Sequence, residues 1–197
     1  MAVRPIRYLG DPVLRQPAKK VRQVDDAIRR LVQDMIESMY AAQGVGLAAP
    51  QIGVPLRVVV LGMPDEEPFA LINPVIMRRT GTRRLDGEGC LSVPGYRGAI
   101  TRSEKVVVRA LDLRGKEIRV RAESNLLAQA LEHEVDHING FLYVDRLDSM
   151  ADLMKLDGTD WSSAHAVAPS EAAAPVGGAS SGLPTHAHAG PDADTGD

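Results

Sequence analysis

An α+β domain is the fold class this sequence predicts: mostly antiparallel strands packed around a central helix bearing two histidines, a long helix nearer the N-terminus, and a disordered C-terminal tail. Three observations lead there. Ile28, Leu31, Val32, Met35, Ile36, Met39 and Tyr40 recur at spacings that put them on one buried face of a helix. Short apolar runs separated by turn signals then fill the middle of the chain, as strands do. A second helical stripe, Leu127, Ala130, Leu131, Val135 and Ile138, surrounds the run His133-Glu134-Val135-Asp136-His137.

Asp25 or Asp26 caps the first helix, because a short carboxylate accepts from the unpaired N–H groups of the first turn. A glycine-rich bend, Gly44-Val45-Gly46, follows it. The clearest strands are 56–61, 105–113 and 116–122, the last two joined in a hairpin at Arg114-Gly115. Ser124 is the expected N-cap of the histidine-bearing helix and Asn139-Gly140 its stop. Residues 141–147 read as extended, and no internal repeat is visible.

A length of 197 residues and a hydrophobic content of 44% suit one domain with an ordinary core. Composition changes after residue 157. From Gly158 to Asp197 the chain has no Lys or Arg and one aromatic residue, Trp161, too little apolar surface to offset the entropy of ordering. Residues 158–197 therefore read as a low-complexity, disordered tail in which His165, His186 and His188 are solvated, weak metal binding being the alternative. The tail holds five acids, so residues 1–157 carry a net charge of +2 where the whole chain carries -3. Neither value points to a nucleic-acid or membrane surface. The opening residues lack the apolar segment of an export signal, and no run of about 18 apolar residues follows, which predicts a cytoplasmic protein. A single cysteine, Cys90, excludes an internal disulfide and leaves a thiol.

His133 and His137 are four positions apart, one helical turn on one face. With a carboxylate beside them, that spacing grips a divalent cation and activates a water on it. A catalytic centre of this kind takes three protein ligands and keeps one position open. One class of zinc protease extends the pentad to a third histidine, but Tyr143 stands at that place. Another uses a downstream glutamate, and here that could only be Glu171, inside the tail. Cys90, within Gly87-Glu88-Gly89-Cys90-Leu91-Ser92, offers a thiolate suited to Zn or Fe(II) beside glycines that allow close backbone approach. Taken singly, the cysteine also reads as a small buried hydrophobe and the pentad as an amphipathic helix with chance histidines.

Three segments together resemble the signature motifs of the peptide deformylase family: Gly44-Val45-Gly46-Leu47-Ala48-Ala49-Pro50-Gln51, Glu88-Gly89-Cys90-Leu91-Ser92 and His133-Glu134-Val135-Asp136-His137. The resemblance runs from about residue 3 to residue 150 and includes Asp11-Pro12-Val13-Leu14-Arg15 and Asn73-Pro74. Its short spacers resemble the compact bacterial subtype. It implies a deformylase-like catalytic domain over 1–157 that removes the formyl group from the N-terminal formyl-methionine of new polypeptides and releases formate. One divalent metal ion is implied, usually Fe(II), with Zn, Ni or Co as substitutes. Position by position, Cys90, His133 and His137 are the implied ligands, Glu134 the general base, and Gln51 with the Leu91 backbone N–H the donors that stabilise the oxyanion.

The resemblance also implies that Glu88 pairs with Arg102 to fix the loop presenting Cys90, a solvated loop carboxylate being the alternative, and that Gly46 and Gly89 offer backbone to the peptide. Val45, Leu126 and Ala130 are candidates for the methionine pocket, or are simply core. Arg97 either approaches the peptide or is a surface charge. Asp136 either orients a histidine or is a charge on the helix surface. Formylmethionyl nascent peptides are the implied partners, near the ribosome. Relatives that dock there through a C-terminal helix differ from this sequence, which has no basic helix after Met154. A metalloprotease acting on internal amides is the enzymatic alternative. A non-catalytic, metal-stabilised binding module is the other, and it would be expected to have lost Glu134, Gln51 or Leu91.

Overall fold

The side chain of Asp25 accepts from the Ile28 N–H at 3.0 Å, and helix α1 (Asp26–Ala41) runs from that cap. Ile28, Leu31, Val32, Met35 and Met39 are buried along one face, Ile36 is half-buried and Tyr40 is exposed. The structure, a computed structural model, describes residues 2–156. The strands in chain order are β1 (Gly46–Ala48), β2 (Val58–Leu61), β3 (Phe69–Thr80), β4 (Arg83–Gly89), β5 (Tyr96–Arg102), β6 (Lys105–Leu111), β7 (Glu117–Glu123) and β8 (Leu153–Lys155), with helix α2 (Leu126–Ile138) between the last two. Every strand pairing is antiparallel, in one sheet of order β1-β2-β3-β6-β7 and a smaller one of order β4-β5-β8. The fold is α+β, as expected.

The larger sheet explains where the core lies. β2 reads Val-Val-Val-Leu and is buried at every position because both of its faces are covered. Val58 and Val60, with Ala70 and Ile72 of β3, cluster with the apolar face of α1. The alternate residues Val59 and Leu61, with Leu71, cluster instead with Ala128, Ala130, Leu131 and Ile138 of α2. A third cluster, Leu14, Cys90, Val93, Ile100, Leu142 and Tyr143, lies against the smaller sheet.

Three local readings are corrected. The cap of α2 is Asn125, whose side chain accepts from the Ala128 N–H at 2.9 Å. Ser124 instead holds a left-handed φ of 48° and donates its N–H to Glu104 at the end of the hairpin. Residues 141–147 are not extended: Tyr143–Arg146 form a 3-10 turn, held by the Asp145 carboxylate accepting from the Leu142 N–H at 2.7 Å. β3, the longest strand, is missing from the sequence reading because Asn73-Pro74 interrupts it and its outer half is exposed. Asn73, at φ 53°, bonds both the N–H and the carbonyl of Val21 through its amide, and the register with β6 slips between Ile72 and Val75. The stop at Gly140 holds. Its φ is 86°, and a Cβ there would lie 3.0 Å from the Arg15 carbonyl carbon.

Among the described residues no helix is long and apolar enough to cross a membrane. The tail reading for 158–197, and the boundary at 157, lie outside the described residues.

Candidate metal centre

Helix α2 is buried at every position from Ala130 to Ile138, so both histidines are carried into the interior. Their Nε2 atoms lie 3.2 Å apart, and His137 Nε2 is 3.2 Å from Cys90 Sγ. Cys90 follows directly on β4, and all three ligand atoms fall within 4.8 Å of one another. A tetrahedral cation at about 2.1 Å from nitrogen and about 2.3 Å from sulfur would set its ligands roughly 3.4–3.6 Å apart. The donor set suits such an ion in softness, and the two 3.2 Å separations lie close to the spacing it needs.

What holds the donors is a run of buried charges. His133 Nδ1 donates to Glu88 Oε1 at 2.6 Å, leaving Nε2 as the ligating atom. Arg102 forks onto both Glu88 oxygens at 3.0 and 2.6 Å, as the resemblance implied for this pair. Its remaining arm donates to Asp136 at 2.7 Å. Asp136 bonds no histidine directly and is no surface charge: it is buried between Arg102 and Arg146, whose Nη2 donates to it at 2.7 Å. The ring of Tyr143 stacks beside that of His133, centroids 6.4 Å apart.

The protein's own charges split the two imidazoles. Burial disfavours a proton on His133, but the Glu88 carboxylate and Cys90 outweigh it and hold the pKa well above the ordinary value. His137 is pushed well below that value by burial and by His133. Glu88, despite a burial that favours its neutral form, is drawn down to about 2 by His133 and Arg102.

Glu134, buried beside His133, has no partner for Oε2 among the described residues, and burial raises its pKa to about 7. Gly46 faces it so closely that a Cβ would lie 2.4 Å from Glu134 Oε1. Gln51 is pinned at one end, where Oε1 accepts from the Ala48 N–H at 2.8 Å, so that Nε2 reaches Ser92 Oγ at 3.2 Å and lies 3.7 Å from Cys90 Sγ. Leu91 is buried, with its side chain in the α1 cluster. Val45, Leu126 and Ala130 all belong to the cluster under α2. Gly89 ends β4 directly opposite Arg97 on β5.

The sequence brought forward the three donors, Glu134 and Gln51, and these converge. It gave no part to Tyr143 beyond failing as a ligand, and it overlooked Arg146 and Ser92. Their signal was weak: each matters through a partner on another element.

Fold and site together define a class, α+β proteins with a centre of one sulfur and two imidazoles fit for a single cation and with a buried carboxylate at its side. The family model for polypeptide deformylase matches residues 3–152. The peptide deformylase of Dehalococcoides mccartyi is 48% identical over 161 residues, covering 81% of this chain and 95% of the relative. That of Thermomicrobium roseum is 45% identical over 174 residues, covering 84% and 98%. Among solved structures, the peptide deformylase from Legionella pneumophila superposes with a TM-score of 0.73 at 46% identity, covering 77% of this chain and 89% of that one. The enzyme from Synechococcus elongatus in complex with actinonin does so with a TM-score of 0.73 at 42% identity, covering 77% and 82%. The chain belongs to the polypeptide deformylase family.

Proposed function

We infer that this protein is a peptide deformylase, a metal-dependent hydrolase that removes the formyl group from the N-terminal formyl-methionine of newly made polypeptides and releases formate. The observation that carries the reading is the convergence of Cys90, His133 and His137 within 4.8 Å, in a chain matched to the family from residue 3 to residue 152.

Cys90, His133 and His137 would hold the ion. A divalent cation there supplies Lewis acidity toward a water and toward the formyl oxygen. Glu134, with Oε2 free of any partner and a pKa near neutrality, takes the proton of the attacking water and passes it to the departing amine. The Gln51 Nε2, held in place by its own carbonyl's bond to Ala48, and the Leu91 N–H meet the charge that grows on the formyl oxygen. Gly46 and Gly89 present backbone to the peptide, with Arg97 across from Gly89. Val45, Leu126 and Ala130, which share one apolar cluster, receive the methionine side chain. Fe(II) is the native ion, with Zn, Ni and Co able to replace it, a choice supported by the mixed sulfur and nitrogen donors. The catalytic domain lies within residues 1–157, which include the segment matched by the family model, and the reaction takes place in the cytoplasm close to the ribosome.

Incubation with a formyl-methionyl dipeptide and, separately, with casein tests the reading. Metal-dependent formate release is expected, inhibited by actinonin, with casein left intact. Casein cleavage without formate release would favour the protease alternative instead.

A further inference from the structure

The ion pairs behind His133 do not stop at Arg102. From the ring outward they alternate in sign: Glu88, Arg102, Asp136, then Arg146, whose side chain is 42% exposed. Arg146 makes two bonds to Asp136, Nη2 at 2.7 Å and Nε at 3.3 Å, and its guanidinium lies 4.8 Å from the Phe141 ring centroid. It belongs to the same 3-10 turn as Tyr143, whose ring stacks beside His133.

Taking the three inner groups as ionised, one cation stands between two carboxylates, and Arg146 brings the run to neutrality. Without it, Arg102 is the sole cation facing both Glu88 and Asp136, and a guanidinium drawn toward one slackens on the other. Glu88 is the group that orients the His133 ring, so the disturbance ends at a metal ligand. We propose that Arg146 is a positioning residue for the metal centre, acting through Asp136, Arg102 and Glu88 to fix the His133 imidazole. The proposal rests on the metal-site reading above. It predicts that a partly exposed arginine outside the Cys90, His133 and His137 triad governs how tightly the ion is held, and that charge alone is not enough, because the two-bond fork sets the direction in which Asp136 pulls.

The test compares the parent, R146A, R146K and R15A, each loaded with zinc and challenged with a chelator well below its melting temperature. Arg15 bonds Asp145 of the same turn and is outside the relay, so R15A controls for loosening of the turn. R146A is expected to lose metal about tenfold or more faster than the parent, with R146K intermediate and R15A unchanged. The proton on His133 Nδ1, followed by NMR in the zinc-loaded proteins, should exchange with solvent faster in R146A and R146K than in R15A. Parent-like metal retention and proton exchange in a folded R146A, or in R146K should R146A fail to fold, would overturn the proposal. An equal loss of retention in R15A would overturn it too. A parent protein that binds no zinc would sink the metal-site reading itself, which separates the two failures.

Discussion

Glu134, the base of the proposed mechanism, sets stability against chemistry. Its carboxyl is buried with an unpaired oxygen, and burial lifts its pKa from 4.5 to about 7. Without bound metal, the native state therefore keeps a proton that the unfolded chain has released between those values. Stability from this group is full below pH 4.5 and is lost as pH rises through 7, at a cost on the order of 3 kcal/mol above that. Glu134→Gln should accordingly raise the melting temperature of the metal-depleted protein at pH 8 and leave it nearly unchanged at pH 4.5. The same variant, loaded with metal, should retain the ion by metal analysis while kcat falls about 10²–10⁴-fold. Turnover at the parent rate would remove Glu134 from the mechanism. Gly46 belongs to the same trade. A methyl group there would meet the Glu134 carboxylate at 2.4 Å, so Gly46→Ala should lower kcat by displacing the base while chelator-resistant metal binding persists. At this scale the sequence was most legible where chemistry is written into residue type and spacing. A thiol, two imidazoles one turn apart and a carboxylate admit few other arrangements. Glu88 and Asp136 were ambiguous because a carboxylate's role depends on which cation folds against it, and Arg102 and Arg146 reach them from β5 and from the turn after α2.

Elements were readable in proportion to their periodicity. α1 buries one apolar side and α2 carries an apolar stripe through its buried length, and such patterns survive without knowledge of neighbours. The error at the start of α2 came from the adjacent pair Ser124-Asn125, both good caps, where the hairpin decides by forcing Ser124 into a left-handed turn. The two readings predict different mutants. Asn125→Ala should cost about 1 kcal/mol through the lost bond to the Ala128 N–H, read as a lower denaturant midpoint with an unchanged slope. Ser124→Gly should not destabilise, since glycine takes the observed φ of 48° freely. A larger loss from Ser124→Gly than from Asn125→Ala would restore Ser124 as the cap. The turn Tyr143–Arg146 escaped notice for a related reason. Consecutive buried residues, Leu142 and Tyr143, resemble a strand until Asp145 is seen to bond back onto the Leu142 N–H.

Over the whole molecule, the metal ligands belong to different layers. Cys90 follows directly on β4 of the smaller sheet, while the histidines sit on the helix that covers the larger one, and Cys90 and His137 are 47 positions apart. A sheet order such as β1-β2-β3-β6-β7 could not be read from strand propensities, because β3 hides its length behind a proline and pairs with β6 across an intervening hairpin. A cation bound by this triad joins the two layers and binds the native state far better than an unfolded chain in which the donors are scattered. Occupancy should therefore raise global stability by mass action, about 2.7 kcal/mol when free metal exceeds its dissociation constant a hundredfold. For a folded region of this size each kcal/mol moves the melting temperature by about 2–4 °C. Chelation under non-oxidising conditions should then lower the melting temperature by roughly 5–10 °C and abolish formate release. Re-addition of Fe(II), Ni, Co or Zn should restore both, and Cys90→Ala should melt at the chelated temperature whether or not metal is present. Chelation that removed activity and left the melting temperature of the parent unmoved would mean that the layers are already locked together by protein contacts alone. The run of ion pairs from Glu88 to Arg146 would then be the feature that locks them.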